Sequence, residues 1–184
     1  MTGNAHEQPL ARGDGGNVTA AGRVEGDEGF AAWLDVFQAN TLVARALERG
    51  LKERFGLPLA DYEVLARLAE VPEGERVRMQ ELARRVLLSK SGLSQLFTRL
   101  EKRELVESRG DPENLRVTYA ILTEEGRRTL ERALPTFHEE VAERFARHLS
   151  EEEIRTIRRA MRKIIRAFEE EPLSDKPGDA RGDA

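Results

Sequence analysis

Residues 89–103, SKSGLSQLFTRLEKR, constrain the fold more than any other stretch. Leu93, Leu96, Phe97 and Leu100 recur at three-to-four residue spacing, so on a helix they share one side, and that side is expected to be buried. The other side carries Lys90, Ser91, Ser94, Gln95, Thr98 and Arg99, with no carboxylate until Glu101. A face that only has to be wetted is more often built of Glu and Lys, which form helix better than Ser and Thr. Ser89 suits the N-cap. Upstream, Leu82, Ala83 and Val86 within 79–86 also repeat at helical spacing, and only Leu87 and Leu88 lie between the two segments. Two short helices joined by a tight turn, the second with a polar outer face, make a helix-turn-helix.

Beyond the second helix the sequence reads as a strand (105–109), a polar tip (Gly110, Asp111, Pro112, Glu113, Asn114) and a returning strand (116–122). Residues 76–78 supply a short third strand. The whole run 81–126, ELARRVLLSKSGLSQLFTRLEKRELVESRGDPENLRVTYAILTEEG, resembles the MarR (multiple antibiotic resistance regulator) family of transcription factors. That resemblance implies a mainly α fold with a small β-wing: a winged helix-turn-helix unit plus a helical dimerisation region, over roughly residues 30–168. The family's wing usually places an Asp two residues before its Arg. Here that slot is Asn114 before Arg116, a neutral group that can still hydrogen-bond the arginine.

The rest of the chain fits that organisation. Residues 1–27 are rich in Gly and polar residues and are expected to be disordered, as is the acidic segment 171–184. Phe30, Trp33, Leu34, Phe37, Thr41, Ala44, Leu47, Leu51 and Phe55 mark a long amphipathic helix from 28 to about 54, closed by Gly56-Leu57-Pro58. A second helix over 61–70 turns Tyr62, Val64, Leu65, Leu68 and Ala69 inward. After the wing, Thr123 is an N-cap, and Leu130, Leu134, Phe137, Val141 and Phe145 run along one helix face to Leu149. Pro135 is expected to kink this helix without ending it, because the stripe stays in phase across it. Ser150 and Glu153 form a capping box for a last helix carrying Ile154, Ile157, Met161, Ile164, Ile165 and Phe168. Residues 28–55 and 123–170 thus offer more apolar surface than the reading unit at 59–122 can cover. A symmetric dimer covers it economically; a monomeric bundle is the alternative.

Charge neither demands nor forbids nucleic acid. The chain's net charge is −4, but residues 1–29 carry five acids against two bases and 169–184 six against two, which leaves the body at +3. Over 79–118 eight bases face six acids. There is no cysteine, which excludes disulfides, thiolate metal sites and cysteine redox switching. No apolar run reaches membrane-spanning length, so no membrane partner and a cytoplasmic location are expected. His138 and His148 stand ten residues apart, not the three or four that stack ligands on one helix face, so neither a metal nor a cofactor is expected. No nucleophile–base motif or phosphate loop points to catalysis.

The expected partner is therefore double-stranded DNA bearing a pseudopalindromic operator, read by a homodimer. Gln95 can read adenine with two hydrogen bonds, and Ser91, Ser94 and Thr98 can meet base edges or thymine methyls. Ser89, Lys90 and Arg99 suit phosphates. Arg109 and Arg116 flank the wing tip, where an arginine can enter the minor groove with Asn114 beside it. The family resemblance further implies a repressor released by a small, often aromatic or phenolic anion bound between the dimer helices and the reading unit. Trp33, Arg45, Asp61 and Tyr62, with Arg49, are the candidates for that pocket. A protein-interaction module that retains the winged helix, or an architectural DNA binder, is the competing reading.

Overall fold

A computed structural model describes residues 27–72, 75–114 and 116–170. The disordered tails expected from the sequence lie outside these, apart from Asp27. The chain divides into two compact units at Leu42/Val43. The boundary falls within helix α1 (Glu28–Phe55). In the first unit the rings of Trp33 and Phe37 lie 6.1 Å apart, both largely exposed.

The second unit contains the reading module and the last two helices. After α1 come α2 (Leu59–Ala69), β1 (Val77–Arg78), α3 (Met79–Arg85), α4 (Lys90–Lys102), β2 (Val106–Gly110), β3 (Thr118–Leu122), α5 (Glu124–Arg144) and α6 (Glu151–Glu170). The strands form an antiparallel sheet in the order β1-β3-β2, with Val77 opposite Ala120 and Ser108 opposite the same residue from the other side. The short strand foreseen at 76–78 forms over Val77–Arg78 as one of the sheet's two edges. The returning strand begins two residues later than its composition suggests, because Asp111 N–H closes the turn onto the Val117 carbonyl before pairing starts at Thr118.

The core is the inward side of these elements: Leu57, Val64, Leu65, Leu82, Leu93, Phe97, Leu100, Val106 and Ala120 are all buried. All four apolar residues expected inside on α4 belong to it. Ser89 caps α4, its hydroxyl accepting from Gly92 N–H at 3.1 Å. α4 ends in a reverse turn in which Glu104 takes φ +57 and Leu105 N–H reaches back to the Leu100 carbonyl at 3.1 Å. That is a Schellman closure without the usual glycine.

α5 buries a face that the sequence did not single out, and it ends earlier than expected. Its buried positions are Gly126, Thr129, Ala133 and Thr136, a face of small residues. The apolar stripe instead stays half-buried at Leu130, Phe137 and Val141 and exposed at Leu134. The reason is how closely the helix start docks. Thr123 accepts from Gly126 N–H at 3.0 Å while donating to the Glu104 carbonyl at 2.7 Å, and a Cβ on Gly126 would stand 2.0 Å from the Leu105 carbonyl oxygen. The helix runs through Pro135 as expected but ends at Arg144, short of Leu149, and a 3-10 turn at Ala146–His148 leads to α6. There Ser150 and Glu153 close the expected capping box: Ser150 N–H and Oγ both lie 2.7 Å from the Glu153 carboxylate, and Glu153 N–H donates back at 3.3 Å.

Candidate nucleic-acid interface

The surface predicted to read DNA is one continuous face of α4. Ser89, Lys90, Ser91, Ser94, Gln95, Thr98 and Arg99 are all exposed along it. A groove of about 460 Å³ runs beside this face and gathers Lys90, Ser94 and Thr98 from α4 with Arg116 from the wing. It also takes in Arg78 from β1 and Gln80 from α3, which the sequence reading placed only as a strand end and a helix start. Among the described residues, Arg78, Lys90 and Arg116 have no carboxylate within ion-pair distance, so their charge is available to phosphates. Nothing local in the sequence flags Arg78. It reaches the groove because β1 pairs with β3, with Arg78 opposite Tyr119.

Hydrogen bonds already sort the polar face. The Thr98 hydroxyl donates to the Ser94 carbonyl of its own helix at 3.0 Å, and Ser89 and Ser91 hydroxyls are 3.2 Å apart. Gln95 forms no side-chain hydrogen bond among the described residues and stands ready for an external partner. Arg99 is turned inward: its Nε lies 3.2 Å from Asp61 Oδ2, and its Nη2 pairs with Asp61 Oδ1. This hydrogen bonding with Asp61 raises the guanidinium's affinity for its proton.

The wing is held by Asp111. Its carboxylate accepts from Glu113 N–H at 2.8 Å, Asn114 N–H at 3.2 Å and the Tyr119 hydroxyl at 2.9 Å. The Glu113 N–H, then the Tyr119 hydroxyl, hold its carboxyl below the usual carboxylate range. Asn114 does meet Arg116, though through the backbone: its Oδ1 accepts Arg116 N–H at 3.1 Å, leaving the guanidinium unconstrained. Arg109 pairs with Glu107 at 2.8 Å.

The four residues read as an anion pocket are dispersed among different tasks. Trp33 belongs to the first unit, and Arg45 is exposed, as is Arg49. Asp61 is wholly buried beneath Arg99, and Tyr62 stacks on Phe137 with ring centroids 4.4 Å apart, burial pushing its hydroxyl pKa up. A hollow of about 350 Å³ does occur nearby, lined by Arg54 and Phe55 of α1, Arg103 beyond α4, and Glu125, Thr129 and Arg132 of α5. Its arginines lie 49 and 29 residues apart in sequence, so no local pattern announces them.

The MarR family's sequence profile matches residues 55–116, the stretch that builds this interface. The transcriptional regulator HosA of Escherichia coli O111:H- is 33% identical over 106 residues, covering 58% of this chain and 76% of HosA. Among solved structures, the MarR family regulator Sco3205 of Streptomyces coelicolor, in complex with DNA, superposes with TM-score 0.72 at 31% identity over 88% of this chain and 96% of its own. The chain belongs to the MarR family. CouR of Rhodococcus jostii RHA1, bound to p-coumaroyl-CoA, superposes with TM-score 0.62 at 27% identity, covering 76% and 92% of the two chains. The protein is thus a MarR-family winged-helix transcriptional regulator. No helix among the described residues is long and apolar enough to cross a membrane.

Proposed function

We propose that this MarR-family protein acts in the cytoplasm as a homodimeric repressor that reads a pseudopalindromic operator through α4 of each protomer. The observation that carries this reading is the α4 face: unpartnered Gln95 at its middle, with Lys90, Arg78 and Arg116 around the adjoining groove. Gln95, Ser91, Ser94 and Thr98 meet base edges, Ser89 and Lys90 lie along the backbone, and Arg109, Asn114 and Arg116 carry the wing to the minor groove, while Arg99 is held by Asp61.

Dimerisation draws support from where apolar surface remains uncovered. Leu87 in the helix-turn-helix turn aside, every large hydrophobic residue found exposed lies on α1, α5 or α6: Trp33, Val36, Phe37 and Leu42, then Leu134, then Ile164, Ile165 and Phe168. Such a concentration supports an interface between chains. We therefore assign residues 28–55 and 123–170 to the dimerisation region and 59–122 to the DNA-binding unit.

Release by a small anion is supported by the Arg54–Arg103–Arg132 hollow, whose Phe55 and Leu105 suit an apolar ligand body, and by CouR's bound aromatic thioester. Arg103 donates to the Gly56 carbonyl at 3.0 Å and lies 3.9 Å from Asp61, so a carboxylate drawing on it acts directly on the end of α4.

Selection of bound duplexes from a random pool, with sedimentation of the same protein, tests the reading. A dimer that enriches a pseudopalindrome with half-sites one turn or a multiple apart is the expected result. Uniform, steeply salt-dependent binding would favour an architectural role, and no binding would favour the protein-interaction module.

A further inference from the structure

The densest positive charge in the chain lies away from the reading surface. α6 carries Arg155, Arg158, Arg159, Arg162, Lys163 and Arg166 with no acid among them: six cations in twelve residues, against an excess of two over the forty residues of 79–118. At 3.6 residues per turn these six share one side of the helix. They line a single shallow depression of about 400 Å³ to which no other element contributes.

Several helix arginines elsewhere are neutralised within their own helix. Arg85, Arg128, Arg144 and Arg147 each follow a glutamate by four residues and pair with it. On α6 only Arg155 does so, with Glu151 at 3.1 Å. Among the described residues the other five cations have no carboxylate within ion-pair distance. Like charges one turn apart oppose the helix, so this face gains stability when a polyanion covers it.

Residue type and geometry narrow the partner. Five of the six are arginine, whose planar fork matches two phosphate oxygens at once, whereas lysine serves a merely wetted face equally well. Arg155 to Arg166 spans roughly 16 Å of helix, a length over which duplex DNA presents about nine phosphate charges. A bilayer fits less well, because the apolar arc of α6 that would enter it is taken by the seam in the dimer proposed above.

We propose that the basic face of α6 is a second, sequence-independent DNA contact, holding the backbone of duplex outside the stretch read by α4. It rests on the dimeric, DNA-reading assignment above. The test compares full-length wild type, R158Q/R162Q/R166Q and R158K/R162K/R166K. Each is checked for dimerisation by sedimentation and for sequence preference by duplex selection, then titrated with a non-operator duplex several helical turns long across a range of salt. The Gln variant is expected to remain a dimer with unchanged sequence preference, to bind the long duplex at least ten-fold more weakly at low salt, and to lose about 2 or more from the slope of log K against log salt. The Lys variant keeps that slope. A dimeric Gln variant with wild-type slope and affinity overturns the proposal. So does a Gln variant that loses binding only to anionic vesicles of phosphatidylserine, or a slope that changes only when the acidic residues 171–184 are removed. Failure of the dimer assignment shows separately, as a monomer in sedimentation.

Discussion

Arg99 of α4 grips Asp61 of α2 with two nitrogens, although the carboxylate is wholly buried and the arginine side chain remains 51% exposed. The pair joins residues 38 apart in sequence and ties α4 to α2. It also draws Arg99 away from the outward-facing groups beside it on α4.

The pair's asymmetry fixes the order of mutational effects. Arg99→Ala strands a buried carboxylate with only Arg103, at 3.9 Å, to compensate it. Breaking a buried pair costs about 3–5 kcal/mol, and the half-exposed arginine reduces this to about 1–3 kcal/mol. In an Asp61→Asn background the same Arg99→Ala change should cost clearly less. Urea denaturation of the four-member cycle measures the coupling; additive effects would show that the pair does not tie α4 to α2.

The wing should loosen in acid. Because the folded Asp111 carboxyl lies below its ordinary range, it contributes stability fully above about pH 4, and that contribution is lost as pH falls through the lower folded value. Protection of the Glu113 and Asn114 amides, both bound to Asp111, should fall over that interval when hydrogen exchange is read relative to the intrinsic rate at each pH. Asp111→Asn should show weaker protection already at neutral pH and little further change on acidification.

Sequence readout and backbone binding should separate by residue. Gln95→Ala is expected to relax preference at one or two operator positions at a cost of about 1–3 kcal/mol, whereas Arg116→Ala and Arg78→Ala should weaken all duplexes alike and lower the salt slope. Duplex selection with each variant checks this. Wild-type behaviour from Gln95→Ala would remove it from the reading surface.

Gly126→Ala should be among the most damaging single changes. The added methyl meets backbone at 2.0 Å, and backbone, unlike the end of a flexible side chain, cannot give way cheaply. A loss of about 2–3 kcal/mol or more is expected from overpacking against the Leu105 carbonyl. Thermal unfolding measures it, with Gly110→Ala, where no atom lies within 4 Å, as the tolerated comparison.

What the sequence determined by itself was whatever depends on neighbours within one or two turns. The buried side of α4, the Ser89 and Thr123 caps, the Ser150–Glu153 box, the passage through Pro135 and the wing's two long strands all follow from spacings that span a few residues. So does the polar face on which Gln95 stands, since helical periodicity places it without knowledge of the rest of the chain. Tertiary structure alone decided which positions of α5 dock most closely, because Gly126 admits the Leu105 carbonyl, while Leu130 and Phe137 pack half-buried against the core beside it. It also decided that Arg99 would serve Asp61, that Asn114 would hold the backbone of Arg116 and not its guanidinium, and that Arg78, Lys90 and Arg116 would share one groove. These relationships join residues through space, and where a charged side chain comes to rest depends on which partner packing brings within a few ångströms of it.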